Sequence, residues 1–415
     1  MSDAQTVDAD GIVDGTLHKS GEVDRFNVSL KKGSTFVAAL QANHRLGSPM
    51  DSVLQISNTD GFVLAQNDDD VGIDPKLVFE VPRDGSYIVN VFAFPSTPNS
   101  TINFSGGSSY VYRLTLATGG FVEHCLPLAK QRTEDQVFSL QGWNLPASET
   151  QPKSIAGSED NVYVIHPEAT SFVEVPNVDL PVLAESDVKA DTPINVPVVI
   201  SGVISQPNET DSYVIEGVKD KSIRCVVDSD ALGFRLDPVV VLWDSTGKQI
   251  SKADDASRDV RDATLTHKFA ADGIHRLTVE DLYHDGGARY AYRLTITESK
   301  PEFKLSVQAE SFIVKKGNKL EIPVTIEREK GFDAEIEVSV SGTPDGIKVA
   351  PAKSEAKGDT SKAVKLELTA GDQSFNGPIV ITGRSTGETS IERHAQFKVA
   401  NTQQRSSKIW LTITK

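Results

Sequence analysis

The sequence predicts an all-β chain built from several antiparallel β-sandwiches. Apolar and polar residues alternate over short runs, turn residues interrupt these runs at intervals of roughly 8–12 residues, and no long stretch has a helical period. A chain of 415 residues is long enough for roughly two to four domains. We assign four units, at residues 10–117, 118–196, 197–298 and 300–415.

The first unit, residues 10–117, has a clear strand pattern. Phe26 and Val28 alternate with polar neighbours, as expected for a strand with one buried face. The sequence Asn-Thr-Asp-Gly at 58–61 predicts a hairpin turn, and Pro-Arg-Asp-Gly at 82–85 predicts another turn. Alternating strands separated by such turns are typical of an antiparallel sandwich.

The third unit, residues 197–298, is predicted to be a second copy of the first. Seven features recur in the same order at an offset near 185 residues. This period is too long for a solenoid, so we expect two copies of one domain. The matching features are residues 15–26 with 202–213, Asp51 with Asp237, Gly61 with Gly247, Asp68 and Asp69 with Asp254 and Asp255, Asp74 and Leu77 with Asp262 and Leu265, residues 84–85 with 272–273, and residues 106–116 with 286–296.

These recurring features resemble the bacterial pre-peptidase C-terminal domain family. The resemblance rests on the series G-x(8)-D-x-[FY], LG-x-x-x-D, an Asp pair, DG and GG-x-x-Y-x-YRLT. Members of that family are β-sandwich jelly rolls attached to secreted peptidases and surface proteins, and similar tandem copies are common in exported proteins of planctomycete-type bacteria. The resemblance implies a jelly-roll fold for each copy and a secreted or cell-surface location.

The other two units are predicted to be immunoglobulin-like. Residues 137–146, Val-Phe-Ser-Leu-Gln-Gly-Trp-Asn-Leu-Pro, are similar to the start of immunoglobulin-like modules of the TIG type. We therefore expect 118–196 to contain such a β unit and then an exposed linker at 184–193. Residues 300–415 contain four alternating runs, which predict a further sandwich of immunoglobulin type.

The charge and the termini limit the possible partners. The formal net charge is −16 and the pI is about 5.0, so the surface repels nucleic acids and anionic membranes and attracts cations. No apolar run approaches the roughly 18 residues of a membrane span. The first residues lack the basic start and apolar core of a signal peptide. The chain is therefore either cytosolic or a mature exported segment, and the resemblance favours the second.

No pattern in the chain indicates catalysis. The motifs HExxH and GxxxxGK[ST] are absent, and no two of the eight histidines are spaced i, i+2 or i, i+4. Cys125 and Cys225 fall in different predicted units, and we expect both to be buried thiols. We therefore predict that the chain is not an enzyme.

One loop is a candidate metal site. Residues 67–74, Asn-Asp-Asp-Asp-Val-Gly-Ile-Asp, place four carboxylates close together with no cation among them. Such carboxylates repel one another, and Ca²⁺, which takes roughly six to eight oxygen ligands, would relieve the repulsion. The alternative is a solvated acidic turn. The predicted calcium ligands are Asp51, Asn67, Asp68, Asp69, Asp70 and Asp74.

The corresponding loop of the second copy differs in its charges. Arg258 and Arg261 stand among its aspartates. Because the arginine guanidinium group can satisfy carboxylates without a metal, we expect salt bridges there instead of an ion. The aspartates of this loop are Asp254, Asp255, Asp259 and Asp262.

Two main classes of function remain open. The first is a non-catalytic structural or adhesive module of an exported protein, with an extracellular protein or a polysaccharide as its partner. The second is the C-terminal accessory region of a secreted peptidase, which would bind substrate or guide export. Carbohydrate binding is a third, weaker class, because it needs exposed aromatic residues and at least one tyrosine of each pair, Tyr110–Tyr112 and Tyr290–Tyr292, is expected in a core. No pattern indicates an oligomeric state.

Overall fold

Nearly all regular structure in this computed structural model is β-strand, which confirms the predicted fold class. The chain separates into two compact units, Met1–Ser299 and Lys300–Lys415, and each is described by itself. The longest helix among the described residues is α1 (Asn43–Leu46). The structure describes residues 4–97, 100, 103–145, 151–157, 160–256, 260–299, 302–329, 332–344, 346–386, 390–399 and 405–415.

The first repeat is a sandwich of two sheets. Its strands are β1 (Gln5–Thr6), β2 (Gly11–Thr16), β3 (Asp24–Leu30), β4 (Thr35–Gln41), β5 (Met50–Asn58), β6 (Val63–Asn67), β7 (Lys76–Glu80), β8 (Gly85–Pro95) and β9 (Val111–Ala117). One sheet has the order β1-β3-β8-β5-β6 and the other β2-β9-β4-β7. The inward residues of both sheets, among them Phe36, Leu54 and Leu114, form one buried core, as the alternation predicts.

A middle region follows the first repeat in the same compact unit. Its strands are β10 (Phe121–Leu126), β11 (Lys130–Gln131), β12 (Ser139–Trp143), β13 (Lys153–Ala156), β14 (Asn161–Ile165) and β15 (Val173–Val178). β10 pairs with β12, and the others have the order β11-β15-β14-β13. Phe121 packs on Val37 and Ala117 of the first repeat, so the middle region covers the outer face of the β2-β9-β4-β7 sheet.

The second repeat has the same two sheet orders as the first, except that its additional parallel strand flanks the other sheet. Its strands are β16 (Val182–Ala184), β17 (Val198–Val203), β18 (Thr210–Gly217), β19 (Ser222–Asp228), β20 (Pro238–Trp243), β21 (Gln249–Ala253), β22 (Ala263–Lys268), β23 (Gly273–Asp281) and β24 (Ala291–Glu298). The sheet orders are β16-β17-β24-β19-β22 and β18-β23-β20-β21. β16 begins two residues before the expected linker and joins this sheet, and a 3-10 turn at Glu185–Asp187 follows it. The range 184–193 is therefore not a simple exposed linker.

Strand register shows that the two repeats correspond residue by residue. Gly15 pairs with Tyr112 in the first repeat, and Gly202 pairs with Tyr292 in the second. Asp51 is the second residue of β5, and Asp237 directly precedes β20 at the equivalent register. The alignment inferred from sequence therefore places equivalent residues at equivalent positions of the two sandwiches.

The recurring glycine, aspartate and tyrosine form one packed unit in each repeat. A Cβ on Gly15 would lie 2.8 Å from Cε1 of Tyr112, and closer still to Cζ and the hydroxyl oxygen. The tyrosine ring therefore needs a glycine beside it. The Tyr112 hydroxyl donates a 2.5 Å hydrogen bond to Asp24. In the second repeat the Tyr292 hydroxyl donates to Asp211 at 2.6 Å, so the G-x(8)-D and YRLT segments meet across the sandwich.

The C-terminal unit is a sandwich of its own. Its strands are β25 (Phe303–Ser306), β26 (Ser311–Lys315), β27 (Lys319–Arg328), β28 (Ile336–Ser341), β29 (Lys348–Val349), β30 (Ala352–Ser354), β31 (Ala363–Thr369), β32 (Phe375–Ser385), β33 (Glu392–His394), β34 (Phe397–Lys398), β35 (Arg405–Ser406) and β36 (Ile409–Thr414). The sheets have the orders β25-β27-β31-β29 and β26-β36-β32-β28-β30, with β33 on β32, while β34 pairs with β35. Alternate residues such as Ile322, Val324 and Ile326 are buried between the two large sheets.

The structure also bears on the predictions about the cysteines, the strand directions and membrane-spanning segments. Cys125 and Cys225 are both free and buried, and burial raises the pKa of each thiol to about 12. Most strand pairs are antiparallel, but β1–β3, β11–β15, β16–β17 and β26–β36 are parallel. Within the described residues, no helix has both the length and the apolar character needed to span a bilayer.

Candidate functional site

The acidic loop of the first repeat connects β6 to β7 and closes in a tight turn. The backbone N–H groups of Asp70 and Val71 donate to the carbonyl of Asp74, and Asp74 N–H donates back to Val71. Gly72 has φ 59°, a left-handed conformation that favours glycine. This turn directs Asp70 and Asp74 away from Asp68 and Asp69, which are exposed.

Asp74 caps the short helix α1 of its own repeat. Its carboxylate accepts hydrogen bonds from the backbone N–H groups of Ala42, Asn43 and His44, at 2.7–3.0 Å. Asp262 of the second repeat accepts the same set from residues 229–231, at 2.7–3.1 Å. Burial raises the pKa of both aspartates, while these backbone bonds oppose the rise. These bonds explain why the aspartate of the Asp-x-x-Leu feature recurs, while its leucine lies in the core of each repeat.

Asp70 belongs to a buried cluster of four charged side chains, the ionic cluster, formed by Asp70, Lys76, Glu123 and Arg289. The Asp70 carboxylate lies 2.5 Å from Arg289 Nη1 and 2.9 Å from Lys76 Nζ. Glu123 lies 3.0 Å from Arg289 Nε and also pairs with Lys76. The four side chains are 8–16% exposed. The expectation that the loop's carboxylates have no cation partner is therefore wrong for Asp70.

The ionic cluster joins three parts of the chain. Asp70 and Lys76 come from the first repeat, Glu123 from β10 of the middle region, and Arg289 from the loop before β24 of the second repeat. Its two negative and two positive groups balance each other, which buried charges require. Arg235 of the second repeat lies 3.7 Å from Asp70 at the exposed rim.

Apolar contacts accompany the charges at this junction. A Cβ on Gly233 would lie 2.6 Å from Cγ1 of Val71, so the acidic loop inserts against the backbone of the second repeat. The ring of His124 packs edge-on against Phe234, with 5.1 Å between centroids. His124 is 4% exposed, and none of the described residues forms a hydrogen bond with its ring nitrogens. Burial lowers the pKa of His124. The charge of Glu123 opposes this decrease, and the charge of Lys76 adds to it.

The remaining predicted calcium ligands, Asp51, Asn67, Asp68 and Asp69, lie in or directly after strands β5 and β6. Burial raises the pKa of Asp51, and the charges of Asp69 and Asp68 raise it further. Asn67 uses its side-chain oxygen to accept a hydrogen bond from the backbone of Lys76. Among the described residues, no cluster of three or more His, Cys, Asp or Glu has metal-binding geometry. The structure thus separates Asp70 and Asp74 from the other candidates, and calcium binding stays a prediction.

The second repeat has an arginine near the equivalent carboxylates. Arg261 lies 3.9 Å from Asp230, and its charge opposes the rise that burial and Asp255 cause in the pKa of Asp237. Arg261 thus pairs with an aspartate outside the loop, and the expected salt bridges to the loop's own aspartates stay a prediction. Arg258 and Asp259 lie outside the described residues.

A buried polar group in the second repeat was not anticipated from sequence. The hydroxyls of Tyr213 and Tyr292 lie 2.5 Å apart, and Tyr292 donates to Asp211, which is 5% exposed. Burial raises the pKa of Asp211; the hydrogen bond from Tyr292 opposes the rise and the nearby Glu185 adds to it. Phe26 replaces Tyr213 in the first repeat, so this additional hydroxyl is specific to the second. The tyrosines at 112 and 292 are core residues, as predicted for one member of each pair.

The chain is similar to a curated protein over a short segment. No family profile matches the chain. A probable subtilase-type serine protease of Deinococcus radiodurans is 36% identical over 73 residues, which is 18% of this chain and 10% of that protease. The chain thus matches only about a tenth of the curated relative's length.

The chain is also similar to two solved structures of β modules, with low sequence identity and a low TM-score for each. The pre-peptidase C-terminal domain of a Bacillus anthracis collagenase is 10% identical and covers 28% of this chain and 97% of its own, with a TM-score of 0.22. The fibronectin(III)-like modules of CbhA from Clostridium thermocellum are 16% identical and cover 43% of this chain and 86% of their own, with a TM-score of 0.15.

Proposed function

We propose that this chain is a non-catalytic structural module of an exported protein, in which the ionic cluster holds the two repeats and the middle region as one rigid body. The observation that carries the proposal is the reach of Arg289 from the second repeat to Asp70 and Glu123. The sequence lacks the HExxH and GxxxxGK[ST] motifs, and we propose that the chain presents or spaces other domains.

The energetics of the cluster favour a fixed arrangement. Removing one partner of a buried ion pair leaves an uncompensated charge, at a cost of about 3–5 kcal/mol. Separating the repeats would strip Arg289 from both of its carboxylate partners at once, although water would then solvate the groups. The insertion of Val71 against Gly233 restricts the same junction sterically. A rigid junction suits a spacer because it sets the distance between whatever lies at its two ends.

The test compares substitutions of two arginines, Arg289 in the loop before β24 and Arg293 in β24 itself. Arg289 pairs across the repeats, whereas Arg293 pairs with Asp228 inside the second repeat at 2.8 Å and is similarly buried. Spin labels introduced as K31C and K268C report the distance between repeats by double electron–electron resonance. Lys31 and Lys268 are well exposed, and their surface ion pairs contribute little to stability.

A narrow distance distribution is expected for the labelled chain and for its Arg293→Ala variant. The Arg289→Ala variant should broaden that distribution while each repeat stays folded. A broad distance distribution in the labelled chain that keeps Arg289, or a narrow one in the labelled Arg289→Ala variant, would contradict the proposed rigid junction. Arg289→Lys keeps the charge but loses the two-sided contact, so it should give an intermediate width.

The second candidate function is an accessory region of a secreted peptidase. The segment shared with the subtilase-type protease favours it. Under this proposal the chain would alter cleavage when present beside a catalytic domain but would not hydrolyse casein by itself. Casein hydrolysis by the pure chain that a single Ser→Ala change abolishes would contradict both proposals.

A further inference from the structure

The outer edge of β6 in the first repeat is apolar and exposed. Phe62, Val63 and Leu64 are 70%, 51% and 43% exposed. β6 is the last strand of the order β1-β3-β8-β5-β6, and no other described strand pairs with its free side. An edge of this kind presents unpaired backbone N–H and C=O groups together with apolar side chains, and natural proteins usually block such edges with charged residues.

The second repeat shows the blocked form of the same edge. β21 has the same pairing with its neighbour and the same irregularity after the turn, so Ser57–Val63 corresponds to Trp243–Gln249. In this register Lys248 stands where the first repeat has Phe62. The further replacements are Gln249 for Val63 and Lys252 for Gln66. Leu64 corresponds to Ile250, which packs against the core of the second repeat. The fold therefore does not require apolar residues at the positions of Phe62 and Val63, because the second copy builds the same strand with Lys248 and Gln249.

Carboxylates stand at both ends of the exposed edge. Asp60 precedes β6, while Asp68 and Asp69 follow it, and all three are exposed. None of the three forms an ion pair with another described residue. Antiparallel pairing of two β6 edges would set Asp60 of one copy beside Asp68 and Asp69 of the other, and like charges at such positions are destabilising. The charges therefore disfavour a second copy of this chain and favour a partner with basic ends.

We propose that the β6 edge binds an extended peptide segment of a partner protein, which adds as a further strand. The segment has apolar residues at alternate positions and lysine or arginine at each end. Strand addition satisfies the free backbone groups, while alternate side chains contact Phe62 and Leu64. The five residues of β6 span about 17 Å, so a segment of roughly eight residues places its basic ends near the two acidic groups.

The experiment uses the full chain and a fluorescent eight-residue peptide with lysine at both ends and valine alternating with threonine between them. Binding is measured by fluorescence anisotropy in 0.15 M salt with a chelator present. The variant F62K/V63Q gives the first repeat the edge residues of the second. Both substitutions are at exposed positions, so the melting temperature should stay unchanged and loss of binding would not reflect unfolding.

The F62K/V63Q variant should raise the Kd at least about tenfold, equivalent to about 1.4 kcal/mol. The same loss is expected when glutamate replaces both terminal lysines of the peptide, or when proline at its centre removes a backbone donor. Conversely, K248F/Q249V should create a second binding site on β21.

Three results would overturn the proposal. They are no binding of the lysine-ended peptide at millimolar concentration, equal binding by F62K/V63Q, and a concentration-dependent dimer in sedimentation velocity that F62K/V63Q abolishes. The last would assign the edge to a second copy of the chain. Because β6 takes no part in the contacts of Arg289, a failure here leaves the proposed rigid junction untouched.

Discussion

Alanine in place of Gly15 tests how the recurring glycine and tyrosine depend on each other. The new Cβ would lie 2.8 Å from Cε1 of Tyr112, so the ring must move. That movement is restricted because Tyr112 is 1% exposed and its hydroxyl is bound to Asp24. Overpacking of a buried core of this kind costs about 1–3 kcal/mol.

The strand offers its own control. Gly11 lies in β2 with Gly15, and a Cβ there would meet no atom within 4 Å. Gly11→Ala should therefore change the free energy of unfolding by no more than about 0.5 kcal/mol. For the compact unit Met1–Ser299, each kcal/mol of difference between the two variants corresponds to about 1.5–2 °C in melting temperature.

A double-mutant cycle identifies the cause. Tyr112→Leu removes the ring that opposes the new methyl group and by itself costs about 2–4 kcal/mol, from the cavity and the lost hydrogen bond. In the Tyr112→Leu background, Gly15→Ala should cost less than about 0.5 kcal/mol, which gives a coupling energy of about 0.5–3 kcal/mol. The assay is urea unfolding followed by circular dichroism. Additive effects of the two substitutions, or equal tolerance of Gly11→Ala and Gly15→Ala, would refute the reasoning.

Three further predictions concern carboxylates. Burial raises the pKa of Asp211 in the native chain to about 8, so the native chain keeps this proton at pH values where the unfolded chain has released it. The free energy of unfolding should therefore fall as pH rises from about 4 towards 8, by no more than about 1.4 kcal/mol per pH unit. Asp211→Asn should flatten this fall in urea titrations at a series of pH values. Asp74→Ala should cost about 1–3 kcal/mol in urea unfolding because it leaves three backbone donors unpaired, whereas the exposed Asp69→Ala should be nearly neutral without calcium. Millimolar calcium should raise the melting temperature of the full chain, by an amount equivalent to about 2.7 kcal/mol at a hundredfold excess over Kd, and magnesium should have a smaller effect. If calcium stabilises the variant D51N/D69N equally, the site does not lie at these residues.

The sequence by itself determined the fold class and the repeat. Period-2 alternation reports which face of a strand is buried, and it does so locally, so strands such as β3 could be identified without knowledge of their partners. The recurrence of Gly15, Asp24 and Tyr112 in the second copy marked residues that the structure brings into contact. Such features persist in both copies because each repeat must solve the same packing problem.

Only the tertiary structure decided what the acidic loop does. Seen in sequence, Asp68, Asp69, Asp70 and Asp74 form one group of like charges. In the fold, Asp74 turns inward to cap α1, and Asp70 meets Arg289, which is 219 residues away along the chain. Local sequence contains no signal for such a contact. Arg289 is one of the two unspecified residues of the GG-x-x-Y motif, and its second partner, Glu123, lies in the middle region. Coulomb interactions act through space, so the balance of charge at a site depends on which distant segments the fold places around it.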